Sequence, residues 1–247
     1  MLLDAPQHPA PARSMLAFLN SVAPVSYISM VAYDGDAPSQ VEGHAERSEL
    51  PNITARCFQQ YQTHFSRADQ VTQLAMPVAQ DANPDAAVAV VFYDRAGLPD
   101  AGWRESIFER EHLTGRLSFL YAPLPQQAFA INLYRDESLG GFGPGEIEQL
   151  MGMAPILKKV HRAVLQARMP SLPVAMRLPA MLATLQLRAP QLSPRERDVC
   201  VRIACGMGAD GIAADLGLAA ATVQTLRKRA YAKLAIHGRQ QLARFTH

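Results

Sequence analysis

The chain has 247 residues, room for one large domain or two smaller ones, and an apolar content of 49% that is typical of a packed core. No stretch approaches the roughly 18 uninterrupted apolar residues of a membrane span, and the first residues lack the basic and apolar regions of a signal peptide. The net charge of +2 is uneven, because positions 1–170 carry −5 and positions 171–247 carry +7. The basic second part indicates a polyanionic partner, although a merely solvated basic face remains the alternative.

Four stretches of the first part are rich in β-branched and aromatic residues and are bounded by turn or polar residues, which predicts strands at 25–33, 87–94, 116–122 and 127–134. The last two strands are separated by Pro123, Leu124 and Pro125, which predicts a hairpin. Helical spacing predicts helices over 52–65, 103–113 and 146–168. This order of elements indicates an α+β domain, in which helices pack on an antiparallel sheet.

The last of these helices has a heptad-like seam of residues three and four positions apart: Ile147, Leu150, Ala154, Leu157, His161 and Val164. Such a seam is explained equally well by packing of the helix on its own sheet and by a parallel dimer helix. Both interpretations stay open from the sequence, since one helix can present two faces.

A boundary follows near Arg168, where prolines stand at positions 170, 173, 179 and 190. Prolines at this density are incompatible with one continuous helix, so residues 169–191 are predicted to be a linker with a short helix over about 180–187. The predicted domains are therefore 1–168, a sensor or dimerisation domain, and 192–247, separated by this linker.

The C-terminal part contains clear helix start and stop signals. Ser193 and Glu196 form a capping-box pattern with Pro194 at the first helical position, and Gly206 provides a stop. Further helices are predicted over about 209–216, which ends at Gly217, from about Ala220, and over about 239–245. Two short helices joined by a tight turn with a glycine are typical of a helix-turn-helix arrangement.

The third C-terminal helix separates an apolar face from a polar one. At about 100° per residue, Val223, Leu226, Ala230 and Leu234 form a core stripe. The opposite face carries Gln224, Thr225 and Lys228 and is narrow enough for a DNA major groove. Gln224 suits an adenine edge, Lys228 suits guanine acceptors and the Thr225 methyl suits thymine. Arg227 and Arg229 flank this face, where phosphates would run.

Residues Leu192 to Leu242 resemble the LuxR-type (GerE) helix-turn-helix of bacterial regulators. The resemblance rests on motifs in register: LSPRERDV, ACG, IAADLGL, TVQTLRKRAYAKL and RQQL. It implies a four-helix DNA-binding domain whose third helix reads the groove and whose fourth helix supports dimerisation. By position, Gln224, Thr225 and Lys228 match base-reading residues, and a second set matches backbone-contacting or supporting positions: Thr222, Arg227, Arg229 and Lys233.

The chain departs from the LuxR-type pattern at three positions. Gly211 stands where the family usually has Glu, Leu226 stands where His is frequent, and Ala219 replaces the usual polar cap of the third helix. Loss of such a cap costs about 1 kcal/mol, so we expect the second and third helices to be less rigid without DNA.

The segment FGPGEIEQLMGMAPILKKVHRAVL resembles the closing helix of a GAF-type sensor domain. An acyl-homoserine-lactone-binding domain is ranked second, because such a domain uses several aromatic residues around its lactone and Trp103 is the only tryptophan here. A phosphoreceiver domain is ranked third, because the early acidic pair of that family is missing. Candidate ligand-binding residues lie on predicted strands or a facing helix: Tyr27, Tyr93, Trp103, Phe119, Tyr121 and Asn132. Such aromatic residues belong more often to a core than to a ligand site.

The expected fold is thus two-domain: a GAF/PAS-like α+β domain followed by an all-α LuxR-type domain. The expected function is a bacterial transcription regulator that is controlled by a small-molecule or partner signal sensed by the N-terminal domain. A cytoplasmic location is expected because three cysteines, an odd and sparse set, fit a reducing compartment. Expected partners are double-stranded DNA with a palindromic operator, a second copy of the chain, a small-molecule ligand and RNA polymerase, with no membrane. The alternatives are a constitutive regulator with a ligand-free dimerisation scaffold and a lactone-responsive quorum-sensing regulator. No catalytic constellation, metal site or cofactor is predicted, so we expect no enzyme.

Overall fold

The computed structural model describes residues 2, 5–47, 50–81, 87–124, 127–168 and 174–246. It divides the chain into two compact units, Met1–Arg168 and Met169–His247, and each is described by itself. Among the helices of the described ranges, none is both long and apolar enough to cross a membrane.

The first unit is built on a five-stranded antiparallel sheet in the order β2-β1-β5-β4-β3. Its strands are β1 (Tyr27–Asp34), β2 (Ala37–Ala45), β3 (Ala89–Asp94), β4 (Leu113–Leu124) and β5 (Gln127–Asp136). Its helices are α1 (Pro11–Leu19), α2 (Thr54–His64), α3 (Gln70–Gln80), α4 (Ala101–Trp103, continued by a π-helical turn over Arg104–Glu109) and α5 (Pro144–Arg168). The expected α+β class is confirmed, and β4 and β5 pair as the predicted hairpin, although Pro125 lies outside the described residues.

One face of the sheet packs on α1 and α5 and forms the largest core. The seam of α5 lies in this core, with Leu150, Ala154, Leu157 and Val164 all buried against the sheet. The burial of these residues supports the first interpretation of the seam, in which α5 packs on its own sheet. The opposite side of α5 leaves Met151 and Ile156 exposed.

The other face of the sheet is covered by α2, α3 and α4. Because side chains alternate along a strand, residues one position away from those of the first core point here: Tyr27 and Ser29 on β1, Asn132 and Tyr134 on β5, and Arg116 on β4. This face thus combines aromatic and polar side chains, whereas the first is almost wholly apolar.

The edge strand β2 and the start of α2 are tied together at Gly43. The Asn52 side-chain Nδ2 donates to the Gly43 backbone carbonyl (2.8 Å), and the Asn52 side-chain Oδ1 accepts from the Thr54 hydroxyl (2.7 Å). A Cβ at position 43 would lie 2.2 Å from the Thr54 Oγ1, closer than any real contact. Only glycine therefore permits this approach of strand and helix.

The second unit is all-helical, with α6 (Val174–Arg188), α7 (Pro194–Ala204), α8 (Ala209–Leu216), α9 (Ala220–Leu234) and α10 (Arg239–Thr246). Two adjoining apolar clusters form its core. Leu185, Leu192, Cys200 and Leu242 belong to the first cluster, whereas Val199, Ile212 and Val223 belong to the second.

The linker predicted over 169–191 is wrong for most of its length. Helix α6 begins at Val174, six residues before the short helix expected there, and it includes Pro179. Pro179 is the sixth residue of the helix, where it has no N–H to donate to the carbonyl of residue 175, so it weakens the helix at this point. Burial of Met181 and Leu185 against α7 and α10 offsets that cost. Residues 169–173, with two of the prolines, lie outside the described ranges.

Candidate functional site

A cavity lies between the mixed face of the sheet and the helices that cover it. Its free volume is about 40 Å³. Its lining comes from β1, β4, β5, α2, α4 and the segments beside them: Tyr27, Ser29, Val31, Ile53, Thr54, Cys57, Phe58, Tyr61, Trp103, Ile107, Phe108, Leu113, Arg116, Asn132 and Tyr134. Aromatic walls with a few polar groups are typical of a small-molecule site.

The structure brings three of the six predicted ligand residues to this cavity: Tyr27, Trp103 and Asn132. Tyr93 lies on the same side of the sheet, with its ring 6.1 Å from that of Trp103, but does not line the cavity. Phe119 and Tyr121 do not line this cavity. They have the opposite parity along β4, so they point into the core beneath α1 and α5.

An ion pair that sequence reasoning missed closes one side of the cavity. The Arg116 guanidinium donates to Asp69 Oδ1 (2.7 Å), and both side chains are fully buried. The same guanidinium lies 4.9 Å from the Trp103 ring and 5.2 Å from the Tyr93 ring. A charged residue at an inward position of the apolar segment RLSFLY was the sequence signal that could have revealed it.

Asp69 has a full set of partners. Besides Arg116, it accepts from the Val71 backbone N–H at the start of α3 (3.1 Å) and from the Tyr61 hydroxyl (2.7 Å). Burial, followed by the charge of Asp69, raises the pKa of Tyr61 well above its ordinary value, so Tyr61 remains a hydrogen-bond donor. These bonds fix α2, α3 and β4 around one carboxylate.

The same wall also contains unpaired polar atoms. Arg116 Nε and Asn132 Oδ1 line the cavity and are buried without a hydrogen-bond partner, as is Ser118 Oγ, which does not line it. Ser118 and Asn132 face each other across β4 and β5, and Asn132 in turn faces Ser29 on β1. A buried polar atom without a partner is uncommon in folded proteins.

In the second unit, the start of α7 has the predicted capping box. Ser193 Oγ accepts from the Glu196 N–H (3.3 Å), and the Glu196 carboxylate accepts from the Ser193 N–H (2.7 Å). The same carboxylate accepts from Lys233 Nζ at the end of α9 (2.7 Å). Burial opposes ionisation of Glu196, but the Lys233 and Ser193 hydrogen bonds outweigh it and hold the pKa below its ordinary value. Lys233 therefore supports the fold of this unit.

Helices α8 and α9 form the predicted helix-turn-helix. Gly217 ends α8 in the left-handed region, with φ of 63°, which glycine adopts without strain. Ala219 is the N-cap residue immediately before α9, and it provides no side-chain hydrogen bond to the helix, as its identity predicts. The first N–H groups of α9 consequently rely on solvent or on another molecule.

The predicted DNA-facing residues occupy one exposed side of α9. Val223, Ala230 and Leu234 are buried, whereas the predicted contact residues of this helix are all exposed: Thr222, Gln224, Thr225, Arg227, Lys228, Arg229 and Lys233. The ion pairs of the described C-terminal residues leave Arg227, Lys228 and Arg229 without a carboxylate. The Thr225 hydroxyl donates to the Ala221 carbonyl (2.9 Å). The side thus presents cations, an amide and a threonine whose hydroxyl is already engaged.

Residues 190–246, which contain this helix-turn-helix, match the model of bacterial regulatory proteins of the luxR family. This segment is a LuxR-family helix-turn-helix domain. It is also 51% identical over 51 residues to the probable transcriptional regulatory protein NarL of two Mycobacterium tuberculosis strains, CDC 1551 / Oshkosh and ATCC 25618 / H37Rv. That match covers 21% of this chain, and the chain spans about a quarter (24%) of the length of those NarL proteins.

Two solved structures have similar chain traces. The ligand-binding domain of VqsR from Pseudomonas aeruginosa is 14% identical, with a TM-score of 0.49, and the match covers 67% of this chain and 93% of that domain. SdiA from Escherichia coli is 15% identical, with a TM-score of 0.43, and the match covers 99% of this chain and 93% of SdiA. Likeness at this level carries no functional conclusion.

The LuxR-type domain accommodates its departures from the family pattern differently. Leu226 packs partly against the cluster of Val199, Ile212 and Val223, so it strengthens the contact between α8 and α9. Gly211 lies on an exposed part of α8. Among the described residues of both units, no group of three or more His, Cys, Asp or Glu is arranged to hold a metal ion.

Proposed function

We propose that the protein is a bacterial transcription regulator that binds double-stranded DNA by placing the exposed side of α9 in the major groove. One observation carries the proposal: this side presents three cations without carboxylate partners, beside Gln224 and Thr225, on a helix whose other side is buried. An α-helix fits the major groove, and cationic side chains at its borders neutralise phosphates.

The side chains of α9 have distinct proposed roles. Gln224 pairs with an adenine edge, Lys228 donates to guanine, and the Thr225 methyl contacts thymine, since its hydroxyl is engaged with Ala221. Thr222, Arg227 and Arg229 contact phosphates. Lys233 is bound to Glu196 and acts by supporting α9 rather than by contacting DNA.

These roles are tested by comparing Lys228→Ala with Arg227→Ala on an operator selected from random duplex DNA. We expect Lys228→Ala to relax base preference at particular positions, because it removes a base contact. Arg227→Ala should weaken all sequences alike and reduce the salt slope of log K by about one. Fluorescence anisotropy at several salt concentrations measures both, with exposed Lys159→Ala as the matched control. Equal, sequence-blind losses from both variants would contradict the assigned groove face.

We further propose that the protein acts in the cytoplasm as a homodimer on a palindromic operator, because a two-fold site matches two LuxR-type domains. RNA polymerase is the proposed partner at the promoter. Comparison of affinity for full and half sites, together with sedimentation of the free protein, tests the dimer. Equal affinity per half site and a monomer in solution would count against it.

The first unit is proposed to sense a small molecule in its cavity. The unpaired Asn132 Oδ1 and Arg116 Nε in the cavity wall support this proposal. The competing function, a ligand-free dimerisation scaffold, is favoured by the free volume of only about 40 Å³. A ligand-dependent change in the fluorescence of Trp103, the only tryptophan, would favour sensing, and no response to a broad set of metabolites would favour the scaffold.

A further inference from the structure

The polar groups in the cavity wall specify the chemistry of a ligand. We propose that the cavity binds a compact, uncharged molecule in which a hydrogen-bond donor stands beside an acceptor, as in a small carboxamide. The inference rests on the proposed sensing function of the first unit and goes further by naming the class of ligand.

Two polar atoms of the cavity wall lack a hydrogen-bond partner. Asn132 Oδ1 is a free hydrogen-bond acceptor, and Arg116 Nε–H is a free donor. Both residues line the cavity, and at most 4% of the surface of each is exposed. Ser118, directly opposite Asn132 in the sheet, does not line the cavity, so the two atoms available to a ligand are those of Asn132 and Arg116. Because Arg116 faces Tyr134 in register, it lies diagonal to Asn132 on the same face of the sheet. One ligand group with N–H and C=O side by side complements this arrangement.

The charge of the cavity wall is already balanced. Arg116 is neutralised by Asp69 at 2.7 Å, and that pair is sealed from solvent. A carboxylate or ammonium ligand would therefore introduce an unpaired charge among apolar walls such as Phe108 and Ile107. Burial of an unpaired charge is far more costly than burial of a hydrogen-bonded neutral group. The wall thus favours a neutral ligand over isosteric ions.

The size of the cavity limits the ligand to a small molecule. A volume of about 40 Å³ holds roughly three waters, since one water needs about 10–15 Å³. A ligand of a few non-hydrogen atoms fits beside Tyr27, Trp103 and Tyr134 with small side-chain adjustments. A long acyl chain would require α2 or α4 to move away from the sheet.

The test uses the full-length protein and its single tryptophan, Trp103, as a reporter in the cavity wall. Four probes are titrated to 100 mM while Trp103 fluorescence is recorded: propionamide, propionate, propylammonium and the longer octanamide. Propionamide should produce a saturable change with a midpoint on the order of 1–50 mM, as its few heavy atoms limit affinity. The two ions should bind at least tenfold more weakly, and octanamide should gain nothing over propionamide.

Matched variants connect the response to the proposed atoms. Asn132→Leu removes the acceptor and should weaken propionamide binding about tenfold, the effect of losing one hydrogen bond. Asn132→Thr, a β-branched residue that suits a strand and preserves folding if Asn132→Leu does not, moves the acceptor and should weaken binding by about threefold or more. Ser39→Ala, on the exposed side of β2, should bind like wild type.

The outcomes separate this inference from the function on which it rests. Equal or tighter binding of either ion, or much tighter binding of octanamide, would overturn the ligand class while leaving sensing in place. No response of Trp103 fluorescence to any probe would overturn the inference, because the cavity would then hold only water. Propionamide binding that is unchanged in the Asn132 variants would overturn it as well, because the proposed acceptor would then not contact the ligand. DNA binding measured on the same samples tests the regulator independently.

Discussion

His161 on α5 should make the stability of the first unit depend on pH. Its ring is 1% exposed, packs edge-on against Phe129 with centroids 4.8 Å apart, and shares a 2.9 Å hydrogen bond with the Tyr121 hydroxyl. Burial lowers the pKa of His161 to about 3, so the folded protein keeps it neutral through the mildly acidic range. The unfolded chain, by contrast, protonates it with a pKa of about 6.5.

The sign and magnitude follow from this difference in proton uptake. Between pH 7 and pH 5 the unfolded chain binds a proton at His161 that the folded chain does not bind, so stability falls as the pH falls. With an unfolded pKa of about 6.5, the loss over this range amounts to about 2 kcal/mol of unfolding free energy. Below the folded value of about 3 both states are protonated, and the loss levels off.

The assay is urea unfolding of wild type and His161→Gln at pH 7 and pH 5, followed by Trp103 fluorescence. Glutamine does not titrate and can pair with the Tyr121 hydroxyl, so the variant should lose about 2 kcal/mol less than wild type over this interval. Exposed His64→Gln is the control and should retain the wild-type dependence. Equal losses in wild type and His161→Gln would refute a neutral buried imidazole.

Three further predictions concern single contacts. Arg116→Met should destabilise the first unit by about 3–5 kcal/mol in urea unfolding, because it leaves Asp69 buried without its cation, whereas exposed Arg67→Met should have little effect. Ala219→Ser should raise the unfolding free energy of the second unit by about 1 kcal/mol, because the serine hydroxyl can cap the start of α9. Ala221→Ser, inside the helix, should give no such gain. An unchanged unfolding free energy in Ala219→Ser would contradict an uncapped start of α9. Lys233→Met should lower the thermal midpoint of that unit without changing the salt slope of DNA binding, whereas a slope reduced by about one would reveal a phosphate contact.

The C-terminal helices were predictable almost to the residue because their boundaries are local. A capping box at Ser193, a stop at Gly206 and a left-handed glycine at Gly217 are each encoded by adjacent residues. The outward side of α9 followed from helical periodicity, which needs no knowledge of distant contacts. Only α6 was misjudged there, because the tertiary contacts of Met181 and Leu185 offset the effect of Pro179.

The first unit was predictable in class but not in detail. The strands rich in β-branched and aromatic residues were found, whereas β2, with the polar sequence APSQVEGHA, and α3, which contains Pro77, were not. Alternation shows that Phe119 and Tyr121 share a face of β4, but it does not show which face adjoins the cavity. The ion pair of Asp69 and Arg116 joins residues 47 positions apart. The cation within an apolar strand was visible in the sequence, but no local pattern identifies Asp69 as its partner.

The contact at Gly43 has a mechanical consequence. Helix α2 contributes Cys57, Phe58 and Tyr61 to the cavity wall, and its start is fastened to the edge strand through Asn52 and Thr54. A molecule large enough to displace α2 from the sheet would therefore also displace the edge strand β2. Displacement of α2 would thus be accompanied by a change at the outer edge of the sheet, at β2, rather than at its centre.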